Sequence, residues 1–320
     1  MKKFLLLVLM VWTALSYSQE LDYYKVAADK FMTLYNNENI DGIFELFDEN
    51  MKAALPIDNA TAFFSDLRGK NGSIRSMEFI STRQSAHVYK TTFKNGIKDI
   101  IIYLSDTELI GGLFVTPHRP EGLKKIERNK TQIGLPFNEE WHVFWGGKNQ
   151  SDNYHVVYEN QMGAYDLVIF KDGKSYQDNG YKNEDYYAFG KEILAPCHAK
   201  VVKVIAGVQD NVPGQMNRKD ITGNTIILET QNKEYLLLAH LKAGSIVVKE
   251  GQNVERGDLL GLCGNSGNSS EPHLHLSLQN TVDMEIATGA WLYFDKIMVN
   301  GEIKEDYLPV KNEKIQNVKL

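Results

Sequence analysis

Seven short apolar runs, at 141–145, 164–170, 199–205, 224–229, 234–240, 258–263 and 273–278, are separated by turns rich in Gly, Asn and Asp. Each is shorter than the roughly 10 residues a helix needs to bury a face, and β-branched and aromatic residues recur within them. Few helical patterns interrupt the series. The region 130–310 is therefore expected to be mainly antiparallel β.

The region 20–116 has a different texture. Val26, Ala27, Phe31, Leu34 and Tyr35 recur at helical spacing, and Asp41 is expected to cap a second helix through Ile43, Phe44, Leu46 and Phe47. A third short helix would hold Phe63, Phe64 and Leu67. After Gly72, runs at 77–80, 88–93, 97–104 and 109–115 read as strands. Helices followed by a strand meander make an α+β unit. Its element order resembles the cone-shaped NTF2-like domains, in particular the DUF3887-like modules found ahead of hydrolase domains. Residues 117–129, with Pro117, Pro120, Gly122, Lys124 and Lys125, read as a linker.

At 320 residues, 43% apolar and 24% charged, the chain has material for two packed domains. The net charge of −6 supplies no basic field for a phosphate backbone, so nucleic acid is not an expected partner. Met1-Lys2-Lys3, an apolar run at 4–15, and small residues at Ser16 and Ser18 form a signal-peptide pattern over 1–18. No later run is long and apolar enough to cross a bilayer, so an exported protein without stable membrane insertion is expected. Cys197 and Cys263 could join in that compartment or stay as buried thiols.

Six of the eight His residues lie after residue 130, and two of them form His273-Leu274-His275. On a strand, positions i and i+2 share a face at roughly 7 Å, so both imidazoles enter one site. A tight polar loop, Gly264 to Pro272, precedes them. His240 ends a strongly apolar run, where an imidazole is unexpected unless it faces a cleft. Three His converge, and a catalytic zinc site usually takes three protein ligands, so a carboxylate is wanted.

These residues are similar to one family. Val248-x-x-Gly251-x-x-Val254-x-x-Gly257-Asp258-x-x-Gly261, then Gly264-Asn265-Ser266-Gly267 leading to Pro272-His273-Leu274-His275, resemble the M23 metallopeptidases of the lysostaphin and LytM group. The resemblance implies a β-sheet groove holding one Zn²⁺, with His275 a zinc ligand and His273 and His240 catalytic. It also implies peptidoglycan cross-links or stem peptides as substrates.

The family's usual upstream form, a His followed four residues later by Asp, is absent. Asn153-Tyr154-His155 and Ala164-Tyr165-Asp166 stand in its place, and a turn over Glu159 to Gly163 lets a hairpin return Asp166 beside His155. His155 and Asp166 are thus the expected remaining ligands. His142 competes for the first position but lacks a nearby Asp. Leu238 stands where many members carry Tyr, and His198 is read as structural. Two rival functions are a non-catalytic LytM-like regulator that activates a cell-wall amidase, a kind of protein that generally lacks one or more of these ligands or catalytic His, and a wall-binding module.

Overall fold

The computed structural model describes residues 20–318. The expected signal peptide, 1–18, lies outside them. The chain divides into two compact units between Arg119 and Pro120.

The first unit is α+β. Helices α1 (Asp22–Asn36), α2 (Ile40–Glu45), α3 (Glu49–Ala54) and α4 (Ile57–Asn71) precede strands β1 (Ile74–Arg83), β2 (Ala86–Phe93), β3 (Gly96–Leu104) and β4 (Ile110–Pro117). The strands form one antiparallel meander in the order β1-β2-β3-β4. Tyr24, Ala28, Phe31, Tyr35, Ile43, Phe64 and Leu67 pack against Tyr89, Phe93, Ile100 and Ile102. Val26 points to solvent, because the buried stripe of α1 runs through Tyr24, Ala27, Ala28, Phe31 and Tyr35. The cap of α2 is Asn39, not Asp41: the helix begins two residues earlier, at Ile40, and the Asn39 side chain accepts from Gly42 N. Asp41 sits in the first turn.

The second unit is mainly antiparallel β. It comprises β5 (Trp141–Trp145), β6 (Tyr165–Val168), β7 (Glu192–Leu194), β8 (Ala199–Ile205), β9 (Asn224–Glu229), β10 (Tyr235–Leu241), β11 (Asn253–Val254), β12 (Leu259–Leu262), β13 (Leu274–Gln279), β14 (Gly289–Ala290), β15 (Phe294–Val299), β16 (Glu302–Tyr307) and β17 (Lys314–Asn317). The large sheet runs β11-β8-β9-β10-β13-β6-β5-β17-β15-β16, with β14 beside β13, while β7 and β12 pair separately. The sheet continues past residue 310, since β17 inserts between β5 and β15 and pairs Ile315 with Trp141.

The stretch before β5 is not a free tether. Glu127 O accepts from Trp291 N, Arg128 pairs with Asp306 and lies over the Tyr293 ring, and the buried Glu234 carboxylate accepts from Thr131 N. Cys197 and Cys263 are both buried free thiols.

Alternation along the central strands sets up the site. Leu236 and Leu238 of β10, Leu274, Leu276 and Leu278 of β13, and Tyr165 and Leu167 of β6 enter one large core. The intervening Asp166, His275 and Ser277 therefore share the opposite face.

Candidate metal centre

Asp166 and His275 are register partners on β6 and β13. His275 Nδ1 lies 2.9 Å from Asp166 Oδ1, and His155 Nε2 lies 3.5 Å from Asp166 Oδ2. One donor atom from each of His155, Asp166 and His275 falls within 4.8 Å of the other two. His273 Nε2 approaches Asp166 Oδ1 at 3.6 Å, and the His240 ring lies 4.8 Å from that of His273 and 5.8 Å from that of His275, between centroids. The structure thus brings together all five side chains selected from sequence. His142 stays outside this group, accepting from Phe170 N through Nδ1. His198 is exposed and pairs with Glu255.

His155 comes from a 3-10 turn, Tyr154–Val157, rather than a strand. Its Nδ1 lies 2.8 Å from Asn153 Oδ1. Its Nε2 is buried with no hydrogen-bond partner among the described residues. A buried imidazole nitrogen left unpaired beside a carboxylate costs roughly 1–3 kcal/mol unless something joins them. A cation satisfies both lone pairs, so a divalent ion with N and O ligands fits this donor set.

His240 reaches the cleft by breaking the pattern of its strand. Strict alternation would send it into the core behind Leu236 and Leu238. Instead the β9–β10 register shifts between Leu238 and Leu241, and His240 adopts φ 62°. A β-bulge with a left-handed residue turns the side chain over and returns Leu241 to the core. A non-glycine residue there carries about 1–2 kcal/mol of strain. The backbone is held on both sides: His240 N donates to Thr222 O, and His240 O accepts from Gly264 N at 3.1 Å. Only glycine fits at 264, because a Cβ would sit 2.3 Å from the backbone N and Cα of Lys242.

The polar loop fixes both imidazoles. His240 Nδ1 lies 2.8 Å from Ser266 O, and His273 Nδ1 lies 2.8 Å from Glu271 O. A carbonyl only accepts, so each Nδ1 carries the proton in the neutral ring and each Nε2 keeps its lone pair. Ser266 Oγ in turn donates to Leu241 O and accepts from Asn224 N, closing the bulge.

Electrostatics favour neutral His155 and His240 around an ionised Asp166. Burial pushes the Asp166 carboxyl up, but His273, His155 and the hydrogen bond to His275 outweigh it and hold it well below the usual range. Burial, opposed by Asp166 and reinforced by His275 and His273, lowers His155 to about 4. Burial together with His273 and His275 lowers His240 well below its ordinary value.

Two cavities are lined in part by the cluster. One cleft of about 180 Å³ is lined by Phe144, Trp145, Tyr154, Asp166, His240 and His273. Another of about 410 Å³ has His275, Ser277, Leu237, Ile221 and Met284 in its wall. The residue that sequence reading quoted without assigning it a task is Asn153. Its signal is an Asn two positions before a His at the start of a helical turn, where Asn caps by preference.

Residues 184–286 match the family described as Peptidase family M23, and residues 28–113 match a protein family of unknown function, DUF3887. His240, His273 and His275 fall inside the first match, whereas His155 and Asp166 precede it. Peptidoglycan DD-endopeptidase ShyA of Vibrio cholerae is 36% identical over 69 residues, 22% of this chain. The chain spans 16% of the length of that curated relative. Among solved structures, the catalytic domain of the antimicrobial peptidase lysostaphin from Staphylococcus simulans is 23% identical at a TM-score of 0.24, covering 36% of this chain and 81% of that one. The M23 metalloprotease pseudoalterin from the deep sea is 13% identical at a TM-score of 0.33, covering 57% and 99%. The chain thus carries a Peptidase family M23 domain behind a DUF3887 domain.

Proposed function

We propose that this protein is an exported zinc metalloendopeptidase that hydrolyses peptide bonds in peptidoglycan cross-links or stems. One observation above all supports it: His155 Nε2, buried and without a hydrogen-bond partner among the described residues, meets Asp166 and His275 beside two further imidazoles, His240 and His273, whose Nδ1 atoms face the carbonyls of Ser266 and Glu271. His155, Asp166 and His275 would hold one Zn²⁺, which when bound supplies Lewis acidity for a scissile carbonyl and lowers the pKa of water toward about 7.

The chain's own residues do the rest. His240 and His273, each anchored through Nδ1–H to a backbone carbonyl, accept the proton of the attacking water at Nε2. Once protonated, the same atom donates to the developing oxyanion or to the leaving amine. The strained bulge keeps His240 aimed at that point. The two clefts that share residues with the cluster give a peptide room beside it. A regulator without activity would not need the two anchored imidazoles, and a wall-binding module would need none of the five side chains.

The test is elemental analysis combined with digestion of purified peptidoglycan and mass spectrometry of the released muropeptides. One zinc per chain and new free amine termini are expected, both lost with chelator and restored by zinc. Zinc without cleavage would favour the regulator. Wall binding without zinc would favour the binding module.

A further inference from the structure

We propose that Asn153 is the positioning residue of the metal centre, one carboxamide that sets which His155 nitrogen faces the cation and ties that imidazole to the strand carrying Asp166. The proposal rests on the zinc reading given above.

Asn153 is fully buried and uses every polar position it has. Nδ2 donates to Gly147 O at 3.1 Å and to Ala164 O at 2.9 Å. Oδ1 accepts from His155 N at 3.2 Å and faces His155 Nδ1 at 2.8 Å. The amide cannot be flipped. Reversal would set its NH₂ against the His155 backbone N–H and its oxygen against two carbonyls, three unfavourable contacts in a buried site. Oδ1 is therefore an acceptor with no proton to give, and His155 Nδ1 must carry the hydrogen. Nε2 is left with its lone pair in the plane of the ring, 3.5 Å from Asp166 Oδ2.

The two donor bonds answer a second problem. His155 and Asp166 are separated by a turn and cannot be held together by one strand or one helix. Ala164 lies two residues before Asp166, and Gly147 follows β5, the strand paired with β6. Bonds from one side chain to both carbonyls fix the His-bearing turn against the Asp-bearing strand. Outer partners of this kind typically change metal affinity by about 10–100-fold when removed.

The experiment uses the full-length protein and two readouts. Ring ¹⁵N NMR of the metal-free protein, with His155 assigned by its loss in His155→Ala, should find the hydrogen on Nδ1. Chelator competition should find zinc binding about 10–100-fold weaker in Asn153→Ala than in wild type. Asn153→Asp, which keeps the acceptor, should retain the Nδ1–H tautomer and bind zinc more tightly than Asn153→Ala. The hydrogen on Nε2 in wild type overturns the proposal, as does a folded Asn153→Ala with wild-type affinity. Should Asn153→Ala fail to fold, the wild-type tautomer and Asn153→Asp decide. Wild-type protein that takes up no zinc overturns the zinc reading itself, and is told apart because it appears without any substitution.

Discussion

His275 and Asp166, partners across two antiparallel strands, share a 2.9 Å contact between Nδ1 and Oδ1, and Asp166 reaches His155 with its other oxygen. One carboxylate thus links two imidazoles, and removing any of the three dismantles the donor set. His155→Ala, Asp166→Ala and His275→Ala should each lose zinc and hydrolysis together. His240→Ala and His273→Ala should keep zinc and lose activity by roughly 10²-fold or more, since each takes away a proton carrier. Elemental analysis and peptide cleavage on the five variants separate the groups. Stoichiometric zinc in folded His275→Ala would refute the ligand set.

The left-handed backbone at His240 gives a stability test independent of catalysis. In an ordinary strand Gly is less stable than Ala, by roughly 0.5–1 kcal/mol. At φ 62° the order reverses, because a Cβ is strained there and glycine is not. His240→Gly should therefore exceed His240→Ala in stability by about 1 kcal/mol in urea unfolding of the metal-free proteins. Equal midpoints, or Ala ahead, would mean the bulge is absent in solution.

The buried His residues set a pH dependence. His155 titrates near 4 in the folded chain against the ordinary 6.5. Between those values the unfolded chain binds the extra proton, so this contribution is complete above 6.5 and is lost as pH falls toward 4. The loss is about 3 kcal/mol, and His240 shifts in the same direction. Urea midpoints of metal-free protein should fall from pH 7.5 to pH 4.5, and fall less steeply in His155→Ala. A flat profile would contradict the burial argument.

Where the second unit starts is also testable. The Glu127 to Trp291 bond and the Arg128 pairing with Asp306 belong to it. We expect a fragment starting at Pro120 to fold and cleave small peptides. One starting at Asn129, which lacks those contacts, should unfold at lower urea. Identical midpoints would show that this strap contributes nothing, and an inactive Pro120 fragment would make the first unit part of the catalytic fold.

Local patterns in the sequence determined the short antiparallel strands, the α+β order of the first unit and the two-residue spacing of His273 and His275. Each follows from side-chain period or turn chemistry acting over a few residues. Strands β15 to β17 escaped, because their exposed charged positions blur the alternation and β17 earns its place only by pairing with β5. Asn39 took the capping role from Asp41 because a two-residue change in helix start transfers the cap. At the candidate site, parity alone sends His240 to the core, and only the bulge that joins Thr222, His240 and Gly264 reverses it. His155 and Asp166 meet through sheet register and the Asn153 carboxamide. Such contacts are non-local, and no periodicity within either segment encodes them.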